Sequence, residues 1–334
     1  MPKRSISIIL LLIIILSAAG CSAAESTEGF MAMDTYMSLR VSSPDPGEAA
    51  VLRGEIERLD RLFSPDGENS DVARLNSSGK ITADGSTVEL LSRTLALCAE
   101  LDGALDPTVF PLVKEWGFID KNYRIPDRAT IDSLLSRTGY SAVGIDGSQI
   151  TLPEGFALDL GAVAKGYAAD RCAAMLRDSG AESALLNLGG TVAAIGKKNG
   201  GADWTVGIAD PENSADYIGY LSCSDRTVAT SGSYERYFVG DDGKTYCHIL
   251  DPATGAPVQG DIVSVTVVSD SGLLSDALST ALFVKGADGA NKLYRERGDF
   301  EYVILTKDGV ALVSEGLTDS FTLKNSSWRL EAVK

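Results

Sequence analysis

The sequence has a single histidine, and its 30 Lys and Arg residues are outnumbered by 46 Asp and Glu residues. The resulting formal charge of −16 would repel phosphate backbones, which excludes sequence-independent nucleic-acid binding. One histidine cannot build a His-rich zinc or haem site, so any metal ion is expected to bind through oxygen. Aromatic residues make up only 7% of the 334 residues, but 44% are hydrophobic, and this composition excludes disorder as the main state.

Cysteine is scarce, and none of the five cysteines lies in a Cys-x-x-Cys motif. A redox dithiol or a thiolate metal site is therefore not expected. Apart from the first cysteine of the chain, an oxidising compartment would allow up to two disulfides among the remaining four, with three connectivities. We favour buried free thiols for these four, which are Cys98, Cys172, Cys223 and Cys247.

The one long hydrophobic run is at the N-terminus. Lys3 and Arg4 precede apolar residues from Ile8 to Leu16, and small residues follow. This order predicts a secretory signal peptide over residues 1–20, and the apolar run is short for a membrane span. The folded part is therefore expected to work outside the cytoplasm.

Cys21 comes directly after those small residues, which resembles a bacterial lipobox, in which the cysteine thiol is acylated. Ala18 departs from that pattern, since Leu is usual there. Simple secretion and a retained N-terminal anchor are the alternatives. We expect lipidation at Cys21, a lipid-anchored protein at the cell membrane, and a tether over residues 21–30.

Residues 31–334 are expected to form a single α+β catalytic domain, with one body or two lobes around a central cleft, because no repeat or linker divides them. Asp-Gly pairs predict three hairpins, and hairpins mixed with helices argue against a doubly wound parallel sheet. Hydrophobic periodicity predicts helices over 51–63, 86–101, 127–139, 162–178 and 273–284. It predicts strands over 183–188, 191–195, 204–208, 246–250, 262–268 and 302–306.

One predicted helix carries three oxygen-bearing side chains on a single face. Asp276, Ser279 and Thr280 stand at positions i, i+3 and i+4. A carboxylate with two hydroxyls suits Mg²⁺, with water and substrate phosphates completing its shell. The alternative is a helix N-terminus in which Asp276 caps and the hydroxyls bond back to carbonyls.

Lys165 falls at or near the first turn of another predicted helix. The helix dipole disfavours a cation there by about 0.3–1 kcal/mol, and a bound phosphate would offset this cost. The alternative is an ion pair between Lys165 and either Asp159 or Asp170.

His248 lies in a predicted strand, with Tyr246 and Leu250 on the same face. A lone histidine is more often structural than catalytic, but a neutral imidazole on a cleft rim is the natural base for a hydroxyl nucleophile. Weaker signals are Gly189-Gly190 and the segment 230–236, whose glycines could let the backbone approach a ligand closely, although tight turns explain them equally well. The proline-containing segment 105–118 could form a rigid pocket wall.

Taken together, these segments resemble the ApbE-type flavin transferases. The resemblance implies a single α+β unit that holds FAD in an elongated cleft and moves FMN to a Thr or Ser hydroxyl of a partner protein, releasing AMP. The matching segments are Met33–Thr35, Ser64–Asn76, Leu105–Thr108, Trp116–Phe118, Leu158–Gly161, Lys165–Tyr167, Asn187–Gly190, Thr230–Gly232, His248–Gly255 and Asp276–Thr280.

The resemblance also implies roles for individual residues. His248 would act as general base, and Lys165 would meet the FAD pyrophosphate. Mg²⁺ would be bound by Asp276, Thr280, Ser279 and the backbone carbonyl of Ala162. FAD contacts are implied at Met33, Asp66, Ala104, Leu105, Asp106, Asp159, Lys165 and Leu250.

Four positions depart from the family pattern, namely Asp34, Asp66, Thr191 and Ser233. Asp66 stands at or near a position where relatives often present an aromatic ring to the flavin, so weaker stacking is expected. A Mg²⁺-dependent FAD pyrophosphatase and a non-catalytic flavin-binding lipoprotein therefore remain alternatives. The partner implied by the family is a membrane-associated electron-transfer subunit with an FMN-binding domain.

Overall fold

The computed structural model describes residues 24–213 and 215–334, so the predicted signal peptide and Cys21 lie outside the described residues. The helices are α1 (Glu48–Phe63), α2 (Asp71–Ser78), α3 (Gly85–Glu100), α4 (Phe110–Glu115), α5 (Arg128–Leu135), α6 (Ala164–Ser179) and α7 (Gly272–Arg297). Short 3₁₀ turns occur at Pro107–Val109, Tyr140–Ala142 and Glu315–Leu317. Within these residues no helix is both long enough and apolar enough to cross a membrane.

The strands are β1 (Ala24–Ala32), β2 (Thr35–Ser43), β3 (Lys80–Thr82), β4 (Gly144–Asp146), β5 (Gln149–Thr151), β6 (Ser183–Asn187), β7 (Thr191–Ile195), β8 (Trp204–Ala209), β9 (Tyr217–Cys223), β10 (Arg226–Gly232), β11 (Tyr237–Val239), β12 (Thr245–Cys247), β13 (Leu250–Asp251), β14 (Ala256–Pro257), β15 (Ile262–Ser269), β16 (Phe300–Thr306), β17 (Val310–Ser314), β18 (Phe321–Leu323) and β19 (Arg329–Val333).

A nine-stranded sheet forms the centre of the molecule, in the order β1-β2-β6-β7-β10-β15-β16-β17-β19. Its neighbouring strands are antiparallel except for the parallel pair of β17 and β19. Two three-stranded sheets, β18-β9-β8 and β3-β5-β4, and the hairpins β11-β12 and β13-β14 complete the strands. Helices and antiparallel hairpins are thus mixed in one chain, which confirms the predicted α+β class.

The central sheet separates two hydrophobic cores, and β16 shows why. Successive side chains of a strand point to opposite faces. Tyr302 and Ile304 therefore join the core under α1, α6 and α7, whereas Val303 and Leu305 join the core under β8, β9 and β18.

A third, smaller core lies beside the first and is built from Leu112, Trp116, Phe118, Ile131 and Leu250. The hairpin β11-β12 packs on it through aromatic side chains. The indole nitrogen of Trp116 donates to the carbonyl of Gly255 at 2.9 Å, which ties α4 to the β13-β14 turn. This cluster fixes the segments that form one wall of the cleft described below.

The structure corrects the expectation that residues 21–30 form a tether. Residues 24–30 belong to β1, which pairs with β2 from Ala24 opposite Ser43 to Ala32 opposite Thr35. The polar composition of this segment hid the strand, because β1 lies at the edge of the sheet and buries only Phe30 and Ala32. Residues 21–23 lie outside the described part.

Other predicted boundaries shift for local reasons. The helix predicted over 86–101 begins at Gly85, because the Asp84 carboxylate caps α3 by accepting from the Ser86 amide at 2.8 Å. The helix predicted over 273–284 continues to Arg297, with non-helical angles at Gly286. The strand predicted over 246–250 is interrupted between β12 and β13, so His248 lies at a bend.

The three Asp-Gly hairpins are confirmed as the turns between β4 and β5, β11 and β12, and β16 and β17. The four described cysteines are free thiols, and Cys223 is only partly buried, whereas the others are fully buried. Burial raises the pKa of Cys98 and Cys172 to about 12, so these two thiols are expected to be unreactive.

Candidate active site

One cleft of about 560 Å³ brings together almost all of the site residues predicted from the sequence. Its walls come from the N-terminal ends of α6 and α7, the segment that follows α3, and the lobe that carries β11 and β12. The predicted residues that line it are Met33, Asp66, Ala104, Leu105, Asp106, Asp159, Ala162, Lys165, His248, Leu250, Asp276 and Thr280. Ser279 is the exception.

Lys165 lies in the first turn of α6, as the sequence predicted. Its Nζ contacts the carbonyl of Gly161 at 3.5 Å, and among the described residues no carboxylate lies within 4.0 Å of it. Asp170, the alternative partner, instead accepts from the Ser271 hydroxyl at 2.8 Å and the Leu273 amide at 3.2 Å. The alternative, an ion pair of Lys165 with Asp159 or Asp170, is therefore not formed among the described residues, and a cation remains at a helix N-terminus.

Asp276 is held where α6 and α7 approach each other most closely. Gly166 allows this approach, since a Cβ on it would lie 2.1 Å from the carbonyl oxygen of Gly272. The Gly166 amide, which lacks a partner within its own helix, donates to Oδ2 of Asp276 at 2.7 Å. Burial raises the pKa of Asp276, and the positive charge of Lys165 opposes that shift.

The hydroxyls on the same helix diverge. Ser279 is 1% exposed and donates to the carbonyl of Asp276 at 2.8 Å, while its oxygen also lies 2.8 Å from the Ser231 hydroxyl. It packs against β10 and is not among the residues that line the cleft, and its place in the metal site stays a prediction. The Thr280 hydroxyl lines the cleft and lies 3.2 Å from Ser231 Oγ. Ser271, not Asp276, caps α7.

His248 is fixed by the backbone of Arg236. Nδ1 lies 3.3 Å from the Arg236 carbonyl, and because a carbonyl can only accept, Nδ1 carries the hydrogen and Nε2 the free lone pair. Burial and the positive charge of Arg236 lower the pKa of His248 to about 4. The imidazole is therefore neutral at physiological pH and able to accept a proton.

Two further aspartates, Asp106 and Asp159, lie on the wall of the cleft. Asp106 accepts from the Thr108 amide at 2.8 Å and the Tyr140 amide at 2.8 Å, so its carboxylate braces the wall. Asp159 accepts from the Gly161 amide at 2.8 Å. Desolvation raises the pKa of Asp159, and the nearby positive charges of Arg236 and Lys165 oppose that shift.

Met33 reaches the cleft from the turn between β1 and β2. Met33 and Asp34 have positive φ angles of 48° and 59°, which is the geometry of a type I′ hairpin turn. Neither residue is glycine, so the turn holds backbone strain of about 1–2 kcal/mol per residue. The rigid pairing of β1 with β2 maintains it and directs Met33 at the cleft.

Glu235 and Arg236 line the cleft but were not predicted as site residues. Desolvation raises the pKa of Glu235, against the positive charges of Lys165 and Arg236. Both residues end the segment 230–236, which the sequence marked as a weak signal without assigning a role to either. Strand β10 carries that segment to the cleft.

The chain is similar in sequence to proteins of one named family. The ApbE family matches residues 33–304. A protein named FAD:protein FMN transferase from Klebsiella pneumoniae is 33% identical over 305 residues, covering 89% of this chain and 94% of that protein. A protein of the same name from Treponema pallidum is 30% identical over 334 residues, covering 92% and 91%.

Solved structures show the same fold. An ApbE protein from Thermotoga maritima has a TM-score of 0.81 at 35% identity, covering 88% of this chain and 98% of that one. The apo flavinyl transferase ApbE from Pseudomonas stutzeri has a TM-score of 0.77 at 28% identity, covering 86% and 93%. The chain thus has the α+β architecture of the flavin transferases. It belongs to the ApbE family.

Proposed function

We propose that this chain is a Mg²⁺-dependent FAD:protein FMN transferase, which attaches FMN from FAD through a phosphoester bond to a Thr or Ser of an acceptor redox protein and releases AMP. The family and the names of its members support flavin transfer. The residues that line the cleft support the metal, the acceptor hydroxyl and the leaving group of this proposal.

The observation that carries the proposal is the central position of Lys165. Its charge lies close enough to influence the pKa of Asp159, Glu235, His248 and Asp276. Among the described residues Lys165 has no carboxylate partner, so a cation at a helix N-terminus lies near four ionisable groups of the cleft. A pyrophosphate bound there would meet both the ammonium and the helix dipole.

The residues around Asp276 fit a hard cation. A buried carboxylate, the Thr280 hydroxyl and the Ala162 carbonyl are all oxygen donors on the cleft wall, which is the chemistry that Mg²⁺ prefers. Burial alone disfavours the charged form of Asp276, and a bound cation would favour it again. When bound, Mg²⁺ would neutralise charge on the pyrophosphate and on the departing AMP.

The chain's own side chains account for the remaining steps. Lys165 binds the pyrophosphate, and His248 Nε2 takes the proton of the incoming hydroxyl. The hydroxyl oxygen then bonds to the phosphorus of the FMN moiety as the bond between that phosphorus and the bridging oxygen breaks, and AMP leaves with the bridging oxygen. The proton on His248 is afterwards released to the departing phosphate or to water, which restores the base.

We place the reaction outside the cytoplasm, at the membrane surface. A lipid at Cys21 and export through residues 1–20 would hold the enzyme at the extracytoplasmic face of the membrane. A membrane-associated electron-transfer subunit with an FMN-binding domain is then within reach as acceptor. Radiolabelled fatty acid incorporation in cells tests the anchor, and it should disappear in Cys21→Ala but not in Cys223→Ala.

Asp66 gives a specific reason to weigh FAD pyrophosphatase activity as well. It lies exposed on the cleft wall just beyond α1, and its negative charge opposes ionisation of Asp159. A carboxylate cannot stack on a flavin as an aromatic ring does. FMN would then be retained less well, and water could replace the protein hydroxyl.

One assay separates these activities. Full-length protein is incubated with FAD, Mg²⁺ and an acceptor domain that carries a Ser or Thr flavinylation site. Flavin fluorescence on the acceptor after denaturing electrophoresis, together with AMP, supports transfer. AMP and free FMN without labelled acceptor would support the pyrophosphatase, and FAD binding without AMP would support a flavin-binding lipoprotein. The matched control is the same acceptor with its Ser or Thr replaced by Ala.

A further inference from the structure

We propose that Thr191 is a positioning residue that fixes the orientation of the Asp276 carboxylate in the cleft. Its hydroxyl donates to Oδ1 of Asp276 at 2.9 Å. This inference rests on the proposed function, in which Asp276 binds Mg²⁺. The closing experiment therefore tests the two separately.

The hydroxyl of Thr191 comes from a rigid part of the sheet. Thr191 is the first residue of β7, is 0% exposed, and lies opposite Ala229 of β10. Its carbonyl accepts from the Leu188 amide at 2.8 Å, which closes the turn through Gly189 and Gly190. A β-branched side chain on such a backbone has few rotamers, so the hydroxyl is delivered from a fixed point.

The carboxylate of Asp276 is held from two sides. Gly166 of α6 donates to Oδ2 at 2.7 Å, and Thr191 of β7 donates to Oδ1. Rotation of the carboxylate plane would break both hydrogen bonds, so the two donors together set that plane. Each carboxylate oxygen has about two acceptor sites, and one on each oxygen remains for a ligand from the cleft.

Of these two donors, only Thr191 can be removed by substitution of a side chain. The Gly166 donor is a backbone amide at a helix crossing where an added Cβ would force the Gly272 carbonyl to move. Within the described part of the chain, Thr191 supplies the one side-chain hydrogen bond to the carboxylate of Asp276. Partners of this kind orient metal ligands, and their loss typically costs about 10- to 100-fold in metal affinity.

The chain offers a matched control. Thr87 is 2% exposed and its hydroxyl donates to Oδ2 of Asp71 at 2.8 Å, the same chemical pair in a similarly buried place. Neither Thr87 nor Asp71 lines the cleft. Any general cost of deleting a buried Thr hydroxyl should appear in Thr87→Val as in Thr191→Val.

The experiment measures binding of Mn²⁺, as a spectroscopic probe for Mg²⁺, to the full-length protein by electron paramagnetic resonance of the free ion. Thermal unfolding is followed in parallel by circular dichroism. We expect Thr191→Val to weaken Mn²⁺ binding by about 10- to 100-fold, and Thr191→Ser and Thr87→Val to stay within about twofold of the parent protein. If Thr191→Val does not fold, Thr191→Ala serves with the same expectation.

Two results would overturn the positioning role while leaving the proposed function intact. One is unchanged Mn²⁺ binding in Thr191→Val when Asp276→Asn has lost it. The other is an equal loss in Thr191→Ser, since that variant keeps the hydroxyl. If Asp276→Asn also binds Mn²⁺ like the parent protein, the metal site of the proposed function fails, and the role of Thr191 fails with it.

Discussion

The backbone amide of Gly166 in α6 donates to the carboxylate of Asp276 in α7 at 2.7 Å, across the closest contact of the two helices. The arrangement is reciprocal, because Asp170 of α6 accepts from the amide of Leu273 in the first turn of α7. Each helix thus caps the N-terminus of the other. The capping joins the two elements that carry Lys165 and the candidate metal ligand.

The tight crossing predicts a severe effect of Gly166→Ala. The added Cβ would lie 2.1 Å from the Gly272 carbonyl oxygen, which must move. We expect the free energy of unfolding to fall by about 1–3 kcal/mol, as measured by urea denaturation. Gly54→Ala in α1, where a Cβ meets nothing within 4 Å, is the control and should be neutral or slightly stabilising. Equal stability of the two variants would argue against the crossing.

Two substitutions of Asp276 should distinguish its role as hydrogen-bond acceptor for α6 from the role of its negative charge. Asp276→Ala removes the acceptor for the Gly166 amide and is expected to lower stability by about 1 kcal/mol. Asp276→Asn keeps an oxygen for that amide but loses the negative charge, so it should fold and yet lose transfer activity by about 10²- to 10³-fold. Steady-state assays at varied Mg²⁺ check this. Normal activity of the Asn variant would remove Asp276 from the site.

Lys165 is expected to act through FAD binding. Because it has no carboxylate partner in the described structure, Lys165→Met should raise the KM for FAD without a large change in stability. A charge-assisted hydrogen bond contributes about 1.5–3 kcal/mol, which corresponds to a rise of about tenfold to a hundredfold. The control is Lys285→Met, which breaks an exposed pair with Asp102 at 3.1 Å. A similar KM in both variants would contradict the assignment.

The environment of His248 predicts an unusually low pKa for its imidazole. The sequence contains one histidine, so its NMR signal can be assigned without ambiguity. In the free protein its proton NMR signal should titrate with a pKa of about 4, below the usual 6.5. Arg236→Gln should raise that pKa, since it removes a positive charge. Bound FAD should also raise it, because the pyrophosphate offsets Arg236 and Lys165. A pKa near 6.5 in the free protein would contradict the described burial.

The same shift sets the sign of the pH dependence. The base form of His248 exists above its pKa, so lowering that pKa extends the active range downward. The kcat/KM for FAD, which reports the pKa of the free enzyme, should therefore change little with histidine protonation between about pH 5 and pH 8, and should fall only as the pH drops further. His248→Gln should reduce transfer by about 10²- to 10⁴-fold and affect FAD cleavage by water less. Equal transfer in this variant would end its assignment as base.

The sequence could predict much of the site because its chemistry is local. Asp276 and Thr280 stand one turn apart on an apolar helix, and a lysine in the first turn of α6 conflicts with the helix dipole. Both features can be recognised in the sequence without knowledge of the fold. Ser279 is the part of that pattern that the cleft lining does not include, since spacing alone could not show that its hydroxyl bonds to Ser231 of β10 and to the Asp276 carbonyl.

The parts that could not be predicted depend on contacts between distant segments. The Gly166 amide and the Thr191 hydroxyl meet Asp276 only after α6, β7 and α7 have packed together. Arg236 reaches the cleft through the pairing of β10 in the central sheet. Ala162 contributes only a backbone carbonyl, so no residue pattern could indicate it, and it came from the family resemblance.

The most direct test of the account is the intact mass of an acceptor domain after incubation with the full-length protein, FAD and Mg²⁺. If the chain transfers FMN, the acceptor gains the mass of FMN less one water at a single Thr or Ser, and one AMP is released for each acceptor modified. An acceptor of unchanged mass, in a reaction that has converted FAD to AMP and free FMN, would contradict it.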